Sequence, residues 1–351
     1  MRIAIVVNHV FLSFMEETKK MILYFHSKGI DADVYNAGDF LPYKRHPRDR
    51  LEKYDLVIFF SPFQRIEVVH SRYLPLDKTI CYYVVEGIAK HIDVHRELLR
   101  RQRIVSPSKF SAQCIEETGF RVEKVIPHIA DPNPLVDHAY GIFWRKKYPR
   151  DKKIIVYTGN SVRRKGLIEL KQAVEILSRK RNDFIVVLHT DNMPRLNGYD
   201  VRILRHPNIV LELEYGKLHR YQVLAKIKYA DFYVHPARSE GFGLPVLEAM
   251  QLGTPVIAID AFGVNEIANE RNSFLVPSNG VEYCDYPDRP RTLITFKMVK
   301  YDPRDLASKI DEALDASRDE IEDKIAHGYM AAKEFTDTYK EFIRYIDRIA
   351  S

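Results

Sequence analysis

Short apolar runs alternate with helical patterns along most of the chain. Branched and aromatic residues, which favour strands, fill these runs, and between them apolar residues recur at helical spacing. The runs that predict strands in the first half are residues 2–7, 33–35, 56–60, 79–85, 104–106 and 122–126. Those in the second half are residues 153–158, 184–189, 209–213, 232–235 and 255–259. Strands that alternate with helices predict doubly wound parallel sheets, which bind ligands at the carboxyl ends of their strands.

The length of the chain and its punctuation predict two domains. A chain of 351 residues is too long for one ordinary core. Prolines and a basic cluster interrupt the pattern around residues 130–151, which we take as the junction. We predict a Rossmann-like domain at residues 1–150, a second one at residues 151–325, and a terminal helix at residues 326–351. The apolar stripe of that helix consists of Phe335, Tyr339, Phe342, Ile346 and Ile349.

Composition and charge narrow the class of protein. Hydrophobic residues make up 46% of the chain and charged residues 29%, as in soluble globular proteins. No apolar run approaches the ~20 residues that span a bilayer. Three scattered cysteines favour a reducing compartment, so we expect a cytoplasmic protein and leave open a peripheral contact with the inner membrane surface. The net charge of +6 suits an anionic ligand.

The most informative stretch is residues 231–260. Two strand-like runs flank the loop Ser239-Glu240-Gly241-Phe242-Gly243 and a helical segment at residues 244–252. The first N–H groups of a helix lack internal partners and carry partial positive charge, and glycines let the backbone come close, so this tip suits a diphosphate. Helical side chains lean toward the N-terminus, so Glu248 points back at the same ligand and suits ribose hydroxyls. Glu240, on the loop, suits the hydroxyls of a sugar.

A basic loop follows the strand predicted at residues 153–158. It runs from Gly159 to Gly166 and carries Arg163, Arg164 and Lys165. Arginine offers a bidentate fork and lysine a point charge, and both would stabilise a departing diphosphate. A solvated run of surface charges is the alternative interpretation.

The stretch SEGFGLPVLEAM at residues 239–250, followed by GTPVIA at residues 253–258, resembles the signature of glycosyltransferase family 4. Seven residues separate Glu240 from Glu248, as in the paired-glutamate motif of that family. The alternative is that both glutamates are solvated charges on a helix surface.

The resemblance implies a GT-B fold, in which two doubly wound Rossmann-like domains face each other across a cleft and the terminal helix packs back on the first domain. It also implies a retaining transfer, of hexosyl type, from a nucleotide-diphosphate sugar to a hydroxyl of a glycan, a lipid or a protein-linked acceptor. No metal or other cofactor is required. The predicted catalytic residues are Glu240, Arg164 and Lys165. Asn160 stands where the family has an arginine that holds the donor phosphates, so that role is assigned to Arg164 and Lys165. The predicted donor-binding residues are Gly159, Gly241, Phe242, Gly243, Leu244 and Glu248.

The acceptor side departs from the family pattern. Asn8-His9-Val10 stands where the family has a glycine pair, and a histidine often seen after the fourth strand is absent, with Glu86 nearby. Asn8 and Glu86 are therefore acceptor-side candidates by position, and ordinary loop polarity is the alternative for each. Residues near Glu214-Tyr215-Gly216 would face the base. The polar residues 281–300 predict an irregular insertion at the rim of the site.

The sequence is also compatible with other classes of function. A non-catalytic protein that binds nucleotide-sugars or nucleic acid could keep the fold, and a GT-B sugar-nucleotide epimerase would use the same donor. Release of nucleoside diphosphate from a donor panel separates enzyme from binder, and a product without an acceptor linkage reveals an epimerase. We expect a nucleotide-sugar as partner and no nucleic acid.

Some clusters of charged residues and histidines resemble binding sites. Basic stretches at residues 43–53 and 96–103 could contact anionic lipid, or form solvated helix faces. Asp31-Ala32-Asp33 has the form of a metal-binding carboxylate pair but begins a strand, and His91 and His95 lack a third ligand. We therefore predict no metal site.

Overall fold

The computed structural model describes residues 1–9, 12–40, 50–131, 133–194, 199–285 and 293–350. The chain forms two compact units. The first comprises Met1–Ile129, Arg291–Phe296 and Asp337–Ser351, and the second comprises Ala130–Pro290 and Lys297–Thr336. Residues 130–150, assigned above to the first domain, thus group with the second unit, and so do residues 326–336 of the predicted terminal helix.

The first unit is built on a six-stranded parallel sheet. The strands of the sheet are β1 (Arg2–Val7), β2 (Asp31–Asn36), β3 (Leu56–Pro62), β4 (Thr79–Val84), β6 (Arg103–Ser106) and β7 (Lys124–Val125), and the unit also contains β5 (Gly87–Ala89). The sheet has the spatial order β2-β1-β3-β4-β6-β7, and its neighbours are parallel. Strand β5 lies outside it and pairs antiparallel with residues 294–296. The strand order reverses between β1 and β3, so ligands are expected at the loops that follow these two strands.

Helices cover both faces of this sheet, which explains why its inner strands are apolar along most of their length. They are Leu12–Ser27, Arg65–Val68, Arg96–Leu99, Lys109–Glu117 and Tyr339–Ala350. Every residue of β1 from Ile3 to Val7 has no exposed surface, as expected for an inner parallel strand covered on both sides. The side chain of Ser108 caps its helix by accepting from the Ser111 N–H at 2.9 Å.

The C-terminal helix of the first unit is held by a buried carboxylate. Glu17 has no exposed surface, and its Oε1 accepts from the Ile129 N–H at 2.8 Å and from the Tyr339 hydroxyl. Tyr339 and Phe342 also pack in the same hydrophobic core as Phe25. Hydrogen bonds and apolar contacts therefore fix this helix together.

The predicted apolar stripe is wrong at its first residue. Phe335 lies in a 3-10 turn before the helix rather than in it, and its ring packs 5.6 Å from that of Phe242 in the second unit. The turn Phe335–Asp337 breaks the helical spacing, so the stripe begins at Tyr339.

The second unit has a parallel sheet with another strand order. The strands of the sheet are β8 (Lys153–Thr158), β9 (Phe184–His189), β10 (Ile209–Glu212), β11 (Phe232–His235), β12 (Val256–Ile259) and β13 (Phe274–Val276). The unit also contains β14 (Val281–Cys284), and β15 (Ile294–Val299) begins in the first unit and ends in the second. The six-stranded sheet has the order β10-β9-β8-β11-β12-β13, with neighbours parallel. The strand order reverses between β8 and β11, which makes their carboxyl ends the expected ligand position.

Helices also lie on both faces of the second sheet. They are His138–Arg145, Leu167–Leu177, Arg220–Tyr229, Leu244–Gln251, Pro303–Asp315 and Arg318–Glu334. Two hydrophobic cores result, and the indole of Trp144 is buried in one of them, donating to Glu212 Oε1 at 3.0 Å. The two doubly wound sheets confirm the predicted α/β class.

The prediction of an irregular segment at residues 281–300 is wrong for its described part. Strands β14 and β15 form there, and the Lys300 N–H donates to the Gly280 carbonyl at 2.8 Å. Strand β14 has no buried residue, and polar residues interrupt the apolar residues of β15, so the segment was not identified as strand from composition. Residues 286–292 lie outside the described residues.

Removing the Tyr339 hydroxyl should destabilise the protein. In Tyr339→Phe the buried Glu17 carboxylate loses one donor, and hydrogen bonds to charged groups contribute about 1.5–3 kcal/mol. We expect the free energy of unfolding in urea to fall by roughly that amount. The matched control is Tyr329→Phe, because Tyr329 is 53% exposed. Equal stability of the two variants would contradict this account of the C-terminal helix.

Candidate functional site

Two loops of the second unit leave its sheet side by side. Strands β8 and β11 are paired neighbours, with Phe232 opposite Ile155 and Tyr233 opposite Val156. The basic loop, residues 159–166, follows β8, and the glutamate loop, residues 236–243, follows β11. Both loops therefore emerge where the strand order reverses, the position at which open parallel sheets bind ligands.

Gly166 allows the two loops to pack backbone against backbone. Its φ is +69°, and a Cβ added there would lie 2.0 Å from the carbonyl oxygen of Pro236. The Arg238 N–H also donates to the Arg164 carbonyl at 2.8 Å. Only glycine fits this left-handed conformation and close approach, so the residue fixes the distance between the basic loop and the glutamate loop.

The predicted catalytic residues meet in one buried cluster. Lys165 Nζ contacts Glu240 Oε1, and Arg164 Nη1 lies 3.1 Å from Glu240 Oε2. Arg164 also donates to the Ser239 carbonyl at 2.9 Å. His235 Nε2 lies 3.3 Å from Glu240 Oε1, a contact that the sequence did not indicate. The Glu240 side chain is 9% exposed, and those of Arg164 and Lys165 are 14% and 12% exposed, so the solvated-surface alternatives are wrong for these three residues.

Charges, rather than burial, decide the ionisation of this cluster. Burial alone would raise the pKa of the Glu240 carboxyl, but the charges of Lys165 and Arg164 and the nearby His235 outweigh it and hold that pKa well below its ordinary value. Burial lowers the pKa of His235, with the Glu240 carboxylate opposing. Glu240 is therefore an anion beside two cations at neutral pH.

The tip of the helix Leu244–Gln251 lies at the end of the glutamate loop. Gly243 is its N-cap with φ +103°, and it has no side chain with which to cap the helix. The N–H groups of Val246 and Leu247 donate back to the Gly243 carbonyl at 3.0 and 3.3 Å. Pro245 occupies the first turn, where an N–H would have no helical partner. The tip therefore directs partial positive charge toward the edge of the sheet.

Glu248 lies in the second turn of this helix and contacts an arginine that the sequence analysis missed. Arg220 Nη2 contacts Glu248 Oε1, and the Glu248 side chain is 8% exposed. Glu248 is therefore not a solvated surface charge. Arg220 begins a helix 28 residues earlier in the chain. No motif or spacing marks this residue, and only the parallel crossover brings the two side chains together.

Three other predicted donor-binding residues occupy distinct environments. The Gly159 N–H donates to the His189 carbonyl at 3.1 Å, and an added Cβ would lie 2.6 Å from Tyr157 Oη. Gly241 is buried in the glutamate loop. The ring of Phe242 packs in the hydrophobic core, which leaves its backbone as the part that borders the loop.

The segment predicted to face the base follows strand β10. The Tyr215 N–H donates to the Thr190 carbonyl at 3.2 Å, and Gly216 has a φ of +78°. Burial raises the pKa of the Tyr215 hydroxyl, while the nearby charge of Arg220 acts in the opposite direction.

In the first unit, Asn8 follows β1 and Glu86 follows β4. Asn8 Nδ2 donates to Glu67 Oε2 at 3.2 Å. Glu67 lies in the short helix that follows β3, so Asn8 and Glu67 lie on the segments that follow β1 and β3, where the strand order of this sheet reverses. Glu67 was also missed, because the sequence does not reveal which strands are neighbours.

Of the two basic stretches, the structure describes only residues 96–103 in full. Residues 43–49 lie outside the described residues. Within residues 96–103, Arg96 pairs with Asp93, and Arg100 lies 3.2 Å from Glu97. Among the described residues no helix is long and apolar enough to cross a membrane.

No metal centre is found within the described parts of the chain. Those residues contain no group of three His, Cys, Asp or Glu side chains placed to hold a metal ion. Asp33 accepts a hydrogen bond from the Tyr54 hydroxyl, and His95 Nε2 lies 3.1 Å from the Arg65 carbonyl.

Comparison with known sequences identifies relatives of this region. Residues 142–283 match the family model "Glycosyl transferases group 1", and this segment includes both site loops, Arg220 and Glu248. The chain is 25% identical over 267 residues to the "Uncharacterized glycosyltransferase 335" of Sulfolobus islandicus rod-shaped virus 1, covering 74% of this chain and 78% of that one. It is 30% identical over 128 residues to the "Putative teichuronic acid biosynthesis glycosyltransferase TuaC" of Bacillus subtilis, covering 36% and 30%.

Comparison with solved structures covers the whole chain and identifies the fold as GT-B. Anabaena HepE, solved in complex with UDP and glucose, aligns with a TM-score of 0.70 at 15% identity, covering 100% of this chain and 99% of that one. The sucrose-phosphate synthase of Thermosynechococcus elongatus aligns with a TM-score of 0.68 at 16% identity, with the same coverage. The coarse resemblance to glycosyltransferases is confirmed, and so is the predicted fold.

Proposed function

We propose that this protein is a family 4 glycosyltransferase that moves a hexose from a nucleotide-diphosphate sugar to an acceptor hydroxyl, with retention and without a metal ion. The observation that carries the proposal is the buried cluster of Glu240, Arg164 and Lys165 beside an uncapped helix tip. The sequence match to group 1 glycosyltransferases spans these same residues. Anabaena HepE, which has a similar fold, was solved in complex with UDP and with UDP-glucose, and this supports a uridine nucleotide as the first donor to test.

The chemistry follows from where charge develops. When the bond between the anomeric carbon and the diphosphate breaks, negative charge grows on the departing oxygens. Arg164, Lys165 and the N–H groups at Gly243 and Leu244 would stabilise that charge, and fixed donors of this kind contribute strongly because they need no reorganisation. The two side-chain cations supply the role that a metal ion has in other transferases.

The remaining groups position the substrates. Glu248 accepts hydrogen bonds from the ribose hydroxyls, and Glu240 accepts from hydroxyls of the donor sugar. The acceptor hydroxyl attacks the anomeric carbon on the face that the diphosphate leaves, and its proton passes to a phosphate oxygen of the leaving group. Asn8 and Glu86 remain the acceptor-side candidates, and Glu67 joins Asn8 because of their hydrogen bond.

Loss of one buried cation should weaken nucleotide binding. We expect Lys165→Ala to bind UDP or the best nucleoside diphosphate about 10- to 100-fold more weakly, since a hydrogen bond to a charged group is removed. Isothermal titration calorimetry measures this. The matched control is Arg163→Ala in the same loop, an exposed cation that lies outside the cluster. Equal affinities for Lys165→Ala and the control would contradict the assigned diphosphate site.

Neutralising Glu240 should separate binding from transfer. In Glu240→Gln the two cations keep their place and lose their internal carboxylate, so nucleoside diphosphate should bind at least as tightly as to the wild type. Release of nucleoside diphosphate from the sugar donor should fall by about 100-fold or more, because a charged contact to the sugar is lost at the reacting centre. Calorimetry and a nucleotide-release assay measure the two quantities. Undiminished turnover would remove Glu240 from the mechanism.

A further inference from the structure

Arg220 and Glu248 meet at the carboxyl edge of the second unit's sheet. Arg220 is the first residue of the helix Arg220–Tyr229, and Glu248 is the fifth residue of the helix Leu244–Gln251. Each helix begins shortly after a strand has ended at that edge. Helical side chains lean toward the N-terminus, so both side chains point toward the edge where the donor is proposed to bind.

The two partners differ in burial. The Glu248 side chain is 8% exposed, whereas the Arg220 side chain is 30% exposed. A buried carboxylate is costly unless it is paired and hydrogen-bonded, so the arginine compensates for the burial of the glutamate. A guanidinium can also engage a carboxylate through a planar fork of N–H donors, which a lysine ammonium lacks.

The pair is not required to join the two helices. At their far ends Lys228 Nζ donates to the Leu252 carbonyl, and Thr254 Oγ1 donates to the Ile227 carbonyl at 2.9 Å. Apolar residues of both helices lie in one hydrophobic core. The ion pair therefore adds little to helix packing, and its position at the ligand edge points to another task.

Arg220 also adjoins the segment proposed to face the base. Its charge acts on Tyr215, where it opposes the rise that burial causes in the pKa of the hydroxyl. Arg220 thus lies near both the base-facing segment and the glutamate proposed to hold the ribose.

We infer, resting on the nucleotide-sugar donor proposed above, that Arg220 is a positioning residue that orients the Glu248 carboxylate to accept hydrogen bonds from the ribose hydroxyls. An ionised carboxylate has about four lone-pair sites, so a contact with one guanidinium leaves capacity for hydroxyl donors. Arg220 itself does not touch the nucleotide. The measurable consequence is a preference for ribonucleotides over 2′-deoxyribonucleotides that depends on Arg220.

The experiment compares UDP, GDP and ADP with dUDP, dGDP and dADP by calorimetry on the full chain. The wild type should bind the preferred ribonucleotide about tenfold or more tightly than its deoxy counterpart, as expected for a hydrogen bond to a charged group. In Arg220→Gln the preference should fall to within about threefold. Arg220→Lys keeps the charge without the planar fork and should show an intermediate preference.

The control variant breaks a surface ion pair of the same type. Arg318→Gln removes the contact of Arg318 Nε with Glu322 Oε1 at 2.7 Å, in which both side chains are more than half exposed. It should keep the wild-type preference. Thermal unfolding of each variant verifies that it is folded, and the lysine variant carries the test if the glutamine variant is not.

The binding measurements distinguish a wrong role for Arg220 from a wrong proposed function. If the wild type binds ribonucleotides selectively and both Arg220 variants keep or increase that preference, the positioning role is overturned. In a Glu248→Gln background Arg220→Gln should not change the ratio further, and an added loss would mean that Arg220 contacts the nucleotide directly. If the wild type binds none of the six nucleotides, the proposed function fails and this inference fails with it.

Discussion

The site of this protein depends on a buried carboxylate held between two cations. Replacing buried ion pairs by well-packed apolar residues is often neutral or stabilising, so such pairs are poor devices for stability alone. The contacts of Glu240 with Arg164 and Lys165 therefore call for a reason other than folding. An anionic ligand gives that reason: it would add negative charge where cations and a helix tip are already fixed. In its absence Glu240 compensates for the charge of the cations.

The backbone geometry that allows this cluster comes from the order of the strands. Because β8 and β11 are neighbours although β9 and β10 lie between them in sequence, the loops that follow β8 and β11 come together. Gly166 then lets the loops approach to a distance that no side chain would allow. The same crossover brings Arg220 to Glu248. The strand order, the close approach of the two loops and the charges they carry together produce this site.

Much of this arrangement could be predicted from the sequence. Periodicity identified most strands of both sheets but not β13, whose three residues are too few to show a pattern. The glycine-bounded loops, with Glu240, Arg164 and Lys165, were recognisable because their spacing forms a local motif. Arg220 and Glu67 could not be found in this way, since each reaches its partner through the packing of elements distant in sequence. His235 lies only five residues before Glu240, and their contact depends on how the loop between them folds back. Strands β14 and β15 were missed because polar residues interrupt both, which leaves no clear hydrophobic pattern. Phe335 was misplaced because one turn interrupted a pattern that otherwise reads as a single helix.

The most direct test is a crystal structure of the protein with UDP bound, which would show the position of the diphosphate. The account predicts phosphate oxygens within hydrogen-bond distance, about 3 Å, of the Gly243 or Leu244 N–H and of Lys165 Nζ. A diphosphate bound anywhere else on the chain, with Arg164 and Lys165 still paired with Glu240, would contradict it.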